Sequence, residues 1–221
     1  MNLESGWVPV ALSSSIEPGT SAGAVVEGSE VVVWRDNSGK THVWEDRCPH
    51  RGMRLSFGFV RGDHIACLYH GWQYDTAGQC RHIPAHPDLD VPATIRVPTY
   101  RAEEKHGIIW ATSAADAAMP ELADASGSTC LRSLNVDSPL QDVQAALDRR
   151  GFTKLGENAG TCTINSTLLF IGLQVANAQR TVLHMVVPAA ANAAMLKQLS
   201  RWAEDFRFAL ESPELAAAEV A

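Results

Sequence analysis

A mainly β domain of barrel or sandwich type, followed by a small α+β domain, is what this sequence predicts, on three observations. Short β-branched and aromatic runs recur through residues 1–112 at intervals of about ten. A stretch rich in Ala, Ser, Asp and Gly interrupts that pattern at 113–130. Beyond it, helix signals and longer apolar runs take over. These divide the chain into a first domain at 1–112, a linker at 113–130, a docking or oligomerisation domain at 131–211 and a frayed tail at 212–221.

In chain order, "AGAVVEG", "EVVVWRD", "THVWED" and "HGIIWAT" read as strands, with "DNSG" as the turn between the second and third. Prolines at 84, 87, 92 and 98 exclude a helix from "RHIPAHPDLDVPATIRVP", which reads as an ordered surface loop. Past the linker, Ser138-Pro139-Leu140-Gln141 has the form of a capping box, with Ser138 at the N-cap, Pro139 at the first helical position and Gln141 reaching back. That helix is expected to run to about Arg150, with Gly151 supplying a left-handed stop. "TCTINSTLLFIGLQV" and "RTVLHMVVP" read as two strands joined through residues 176–179. From Ala190 onward Leu196, Leu199, Trp202, Phe206 and Leu210 recur at helical spacing. No internal repeat is present.

Composition narrows the function classes. An apolar fraction of 46% allows a sizeable core. A formal net charge of −7 argues against nucleic acid as partner and leaves room for a basic docking partner. The opening "MNLESGWVPVAL" lacks the basic and apolar regions of a signal peptide, and no run reaches membrane-spanning length. Five cysteines, an odd number, do not read as a disulfide framework. The expected address is the cytoplasm, with no membrane partner.

The chemistry concentrates in "CPHRGMRLSFGFVRGDHIACLYHGW". Cys48 and His50 form one knot, Cys67 and His70 another, and each offers a thiolate and an imidazole from one tight loop. Four such groups can hold a tetrahedral zinc or a two-iron, two-sulfide cluster. Common zinc fingers take both cysteines from one knot and both histidines from the other. Here each knot mixes the types, so facing loops bring sulfur to sulfur and imidazole to imidazole, which suits a cluster with two Cys on one iron and two His on the other.

These loops, "CPHRGMRL" and "CLYHGWQYD", closely resemble those of the bacterial Rieske non-haem iron oxygenases, across residues 7 to about 112. The resemblance implies an ISP-like β-sandwich holding a Rieske [2Fe-2S] cluster. Cys48 and Cys67 are then ligands of the inner iron, and His50 and His70 of the outer iron, where an added electron resides. Around them the resemblance points to Arg51, Gly52, Tyr69, Gly71 and Trp72: glycines for close backbone approach, Tyr69 and Trp72 as shields from water, and Arg51 as a hydrogen-bonding neighbour. Respiratory-chain Rieske proteins add a cysteine to each loop, whereas this chain has Met53 and Leu68 or Tyr69 at the comparable places. The loops are therefore of the oxygenase or ferredoxin kind.

Cys80, Cys130 and Cys162 share no spacing and read as small buried hydrophobes. His82 and His86 follow the knots closely enough to gate proton movement, or simply to stand by. Family oxygenases carry a helix-grip domain whose mononuclear iron takes two histidines and one carboxylate. After residue 112 this sequence offers only His184, which reads as a packed strand residue, and His106 sits at a turn. The tail's order of strands, hairpin and terminal helix resembles the end of a helix-grip domain, truncated and without the iron motif.

The function expected is thus a Rieske electron-transfer subunit of a multicomponent oxygenase, with no catalytic residues of its own. It takes electrons from a reductase or ferredoxin and delivers them to an oxygenase chain bearing a mononuclear iron, within a homo- or hetero-oligomer. The alternatives are a terminal oxygenase subunit with an atypical or partner-completed iron site, and a redox-sensing or scaffolding partner.

Overall fold

The computed structural model describes residues 6–121 and 127–212. Six strands form the first sheet: β1 (Val8–Leu12), β2 (Thr20–Val26), β3 (Ser29–Arg35), β4 (Thr41–Glu45), β9 (Thr99–Lys105) and β10 (Ile108–Thr112), in the order β1-β10-β9-β4-β3-β2. A small sheet of β5 (Phe59–Arg61), β6 (His64–Ala66), β7 (Gln73–Asp75) and β8 (Cys80–His82) is inserted between β4 and β9. Both faces of the first sheet are covered, which explains why "VVVW" in β3 is apolar without alternation. Val32 and Trp34 point one way, with Trp44, towards Leu55, Ile65 and Tyr74 of the inserted part. Val31 and Val33 point the other way, against Val10, Val43 and Ile109.

The third sheet runs β11-β15-β14-β13-β12, from β11 (Thr129–Val136), β12 (Thr153–Lys154), β13 (Ala159–Ile164), β14 (Thr167–Asn177) and β15 (Arg180–Val187). Helices α1 (Leu140–Asp148) and α2 (Ala193–Glu211) cover one face, burying Val143, Leu147, Leu199 and Phe206 against Leu134, Leu173, Leu183 and Met185. The other face meets the first sheet, where Trp7, Ile108 and Trp110 pack with Phe170 and Val186. Gly172 makes that approach possible, since a Cβ there would lie 3.0 Å from the Cβ of Pro9. Hydrogen bonds tie the same seam: the N–H groups of Glu27 and Gly28 donate to the carbonyls of Val175 and Ala176.

Several expectations need correcting. The segment read as one strand, "TCTINSTLLFIGLQV", is a hairpin of β13 and β14 turning at Asn165 and Ser166, both with positive φ. That pair is a left-handed turn lacking the glycine that usually announces it. Ser138 does not cap α1: Pro139 is the N-cap, and no side chain bonds the free N–H groups. The displacement has a tertiary cause, because the Ser138 carbonyl accepts a hydrogen bond from the Thr181 hydroxyl of β15. The helix ends at Asp148, slightly before the expected Arg150, and Gly151 follows at φ +76°. Thr129 and Cys130, read as linker, begin β11, and Ala117 accepts a hydrogen bond from the Trp7 indole. Residues 213–221, most of the expected tail, lie outside the described residues. No helix among the described residues is long and apolar enough to cross a membrane.

Candidate metal centre

Two loops on the inserted part carry the sequence-derived candidates, one leaving β4 and the other joining β6 to β7. They repeat one backbone design. Gly52 N–H donates to the Cys48 carbonyl at 2.8 Å, and Gly71 N–H to the Cys67 carbonyl at 3.0 Å. The Cys48 N–H donates to the Met53 carbonyl and the Cys67 N–H to that of Trp72. Closing such a turn needs a left-handed residue, and both glycines supply it, at φ +72° and +70°.

The side chains sort into two ends. Cys48 and Cys67 are buried, at 2% and 3% exposure, and their thiols hydrogen-bond each other. His50 and His70 lie towards solvent with ring centroids 4.6 Å apart. The Trp72 indole stacks flat on His50 at 4.2 Å, and Tyr69 tilts over His70 at 3.9 Å. Trp72 is half-buried, whereas Tyr69 is 56% exposed and leaves its side of the site open. The Arg51 side chain is exposed; its contribution comes through the backbone.

Electrostatics favour negative charge on the Cys48 sulfur. The hydrogen bond shared with Cys67 is the largest influence on Cys48, lowering its pKa far below an ordinary thiol's and raising that of Cys67. Burial opposes ionisation of either. Against it, the N–H groups of His50 and Arg51 aim at the Cys48 sulfur, and those of Tyr69 and His70 at the Cys67 sulfur. Tyr74, fully buried at the start of the inward face of β7, lies with its hydroxyl 3.0 Å from the Cys48 sulfur. Burial and that sulfur push the phenol pKa up, so Tyr74 remains an O–H donor. Sequence reasoning missed Tyr74; its signal is a strand position two residues past Trp72, on the same face as the core.

Do these residues fit a two-iron cluster? The Nδ1 atom of His50 is buried and has no hydrogen-bond partner among the described residues, as expected of a ligand atom rather than a structural imidazole. Two thiols at one end and two imidazoles at the other match a donor set divided between two irons. The donor set fits.

The remaining candidates fall elsewhere. Cys80 and Cys162 are buried, and Cys130 is half-buried with its sulfur near the Gly107 carbonyl. His82 pairs across the sheet with Gln73, beside the second loop, while His86 is exposed on the proline-rich loop. His184 is buried in β15. Its Nδ1 lies 2.8 Å from the Ser133 hydroxyl and its Nε2 2.7 Å from the Gln174 carbonyl oxygen. His106 stands in a left-handed turn, edge-on to Phe170.

Comparison with known proteins agrees with the loops. Residues 6–101 match the family model of the Rieske [2Fe-2S] domain. Over 107 residues, 48% of this chain, the sequence is 43% identical to the oxidoreductase NdmD of Pseudomonas putida, and covers 18% of that protein. Over 118 residues it is 33% identical to the oxygenase subunit of a 3-chlorobenzoate-3,4-dioxygenase from Comamonas testosteroni, covering 52% of this chain and 27% of that one. The chain thus matches less than a third of the length of these relatives. The structure of Pseudomonas putida CBB5 NdmA with caffeine superposes at a TM-score of 0.76 over 95% of this chain and 80% of that chain, with 18% identity, a likeness of fold alone.

Proposed function

We propose, from the premise that residues 6–101 are a Rieske [2Fe-2S] domain with relatives among the Rieske non-haem iron oxygenases, that this chain is an electron-transfer subunit of a multicomponent Rieske-type oxygenase. Cys48 and Cys67 hold one cluster iron, and His50 and His70 the other. The chain receives electrons from a reductase or ferredoxin and delivers them to a mononuclear iron on a partner chain.

Bound between these loops, the cluster supplies one-electron chemistry. The protein's own residues set its terms. Buried Cys48 and Cys67 keep water from the sulfur end, while Tyr74 and four backbone N–H groups stabilise negative charge there. His50 and His70 occupy the solvent side, which makes the imidazole edge the short route to a partner.

The state of His184 carries the choice of carrier over complete oxygenase. A mononuclear iron of this chemistry needs two imidazoles and a carboxylate with open positions. His184 is the only histidine in this sequence beyond residue 112, and both its ring nitrogens are engaged by Ser133 and Gln174. Its side chain faces β1 and β2, while the described space between helices and sheet, on the opposite face, is filled by Leu134, Leu183, Met185 and Phe206.

One observation favours a second reading. The likeness of fold to NdmA covers 95% of this chain, third sheet included, which supports reading it as an oxygenase subunit whose iron site a partner chain would complete. Iron analysis with EPR separates the two. A carrier holds two irons per chain, shows a Rieske signal once reduced, and turns over no substrate with a reductase alone. Three irons per chain, or turnover with only a reductase added, establishes the second reading instead.

A further inference from the structure

We propose that the exposed face built from Arg54, Phe57, Phe59, Arg61, Leu68 and Tyr69 docks an acidic one-electron carrier protein. The proposal rests on reading the chain as an electron carrier and adds the chemistry of its donor.

The face is apolar where water would be expected to select against it. Phe57, Phe59, Leu68 and Tyr69 are 58%, 48%, 49% and 56% exposed. Large side chains gathered in this way mark an interaction surface, whereas scattered ones need no explanation. They are connected through the fold: Phe59 on the outer strand β5 pairs with Ala66, which leads directly into Cys67, Leu68 and Tyr69. The patch therefore runs up to the imidazole edge, where the Tyr69 ring tilts against that of His70.

Its charge is the reverse of the molecule's. Four of the chain's 18 basic residues, but only one of its 25 acidic ones, fall between Arg47 and Trp72, in a chain of net charge −7. Two of the arginines lie over the patch's own rings, Arg54 at 5.9 Å from the Phe57 centroid and Arg61 at 5.6 Å from that of Phe59. Such stacking holds each guanidinium flush with the aromatic surface. Arg54 is also paired with Glu30, whereas Arg51 and Arg61 have no ion pair among the described residues. Arg and aromatic side chains together are the composition of binding hot spots. An acidic partner is repelled by most of this molecule and attracted here, so charge also selects the orientation that brings it to the imidazoles.

The test uses the full cluster-loaded chain and an acidic plant-type [2Fe-2S] ferredoxin as probe, with dithionite as a small reductant that needs no docking. Stopped-flow reduction of wild type is compared with Arg61→Glu and with Phe59→Ala/Arg61→Ala. We expect ferredoxin-driven reduction to slow about tenfold or more in Arg61→Glu, and wild type to slow between about 0.05 M and about 0.5 M salt. Cluster absorbance and dithionite reduction stay unchanged in both variants, which shows that they are folded. Equal ferredoxin rates in wild type and Arg61→Glu overturn the proposal, as does a wild type reduced by dithionite but not by ferredoxin. A change of oligomeric state in either variant assigns the patch to a second copy of this chain and also overturns it. A wild type that binds no cluster fails the functional reading itself, a result visible before any ferredoxin is added.

Discussion

His50 and His184 both hold ring nitrogens away from water, and they use them in opposite ways. Each nitrogen of His184 has a complementary partner: Nδ1 accepts from the Ser133 hydroxyl, and Nε2 donates to Gln174. The Gln174 amide donates onward to the Val25 carbonyl at 2.8 Å, so the chain of bonds crosses from the third sheet to β2. In His50, by contrast, a face is stacked on Trp72 while Nδ1 meets no donor or acceptor of the protein. Structure satisfies both nitrogens of His184, whereas His50 is fixed by packing and its Nδ1 is left available to a ligand. Burial alone does not distinguish them.

The largest expected effect separates the two regions outright. Replacing either Cys48 or Cys67 by Ser is expected to abolish cluster binding, read as loss of iron and visible absorbance. His184→Ala is expected to leave both at wild-type levels. Iron lost equally from both kinds of variant breaks the comparison, because His184 then belongs to the metal centre.

A smaller effect concerns stability and pH. Burial lowers the His184 pKa from 6.5 to about 4, so the folded protein keeps it neutral while the unfolded chain protonates it. The unfolded state therefore binds more protons between those values, and stability falls as pH drops from about 6.5 to about 4, by roughly 3 kcal/mol at most. Urea titrations across that window measure it. His184→Gln should flatten this dependence while costing on the order of 1–3 kcal/mol at neutral pH through unsatisfied Ser133 and Gln174. A variant with the wild-type slope assigns the pH dependence to other groups.

What the sequence revealed follows the reach of each interaction. The knots were legible because four candidate ligands of two types at short spacing within two turns are a local feature, and Gly52 and Gly71 announce the turns that hold them. The buried reading of His184 came from its apolar flanks, but its partners Ser133 and Gln174 lie on β11 and β14 and are joined to it only by strand pairing. The same non-locality hid the cap of α1, moved by a bond from Thr181, and the Asn165-Ser166 turn, which lacks a glycine. Tyr69 shows the limit from the other side: its place beside His70 was visible, but its exposure is set by where the inserted sheet ends.

Tyr74 offers the finest cut, within the metal centre itself. It was silent in sequence because it reaches Cys48 only through the pairing of β7 with β6, from 26 residues away. Its O–H stabilises negative charge on the sulfur, and the reduced cluster carries more of that charge than the oxidised one. Tyr74→Phe removes the bond but keeps the ring against Trp44 and Leu55 in the core, so the cluster should still assemble. Its reduction potential should fall by a few tens of millivolts, since losing about 1 kcal/mol of preference for the reduced state corresponds to about 40 mV for one electron. A redox titration followed by EPR measures the shift. An unchanged potential would make Tyr74 a packing residue, and the sulfur end would then be tuned by its four backbone N–H groups.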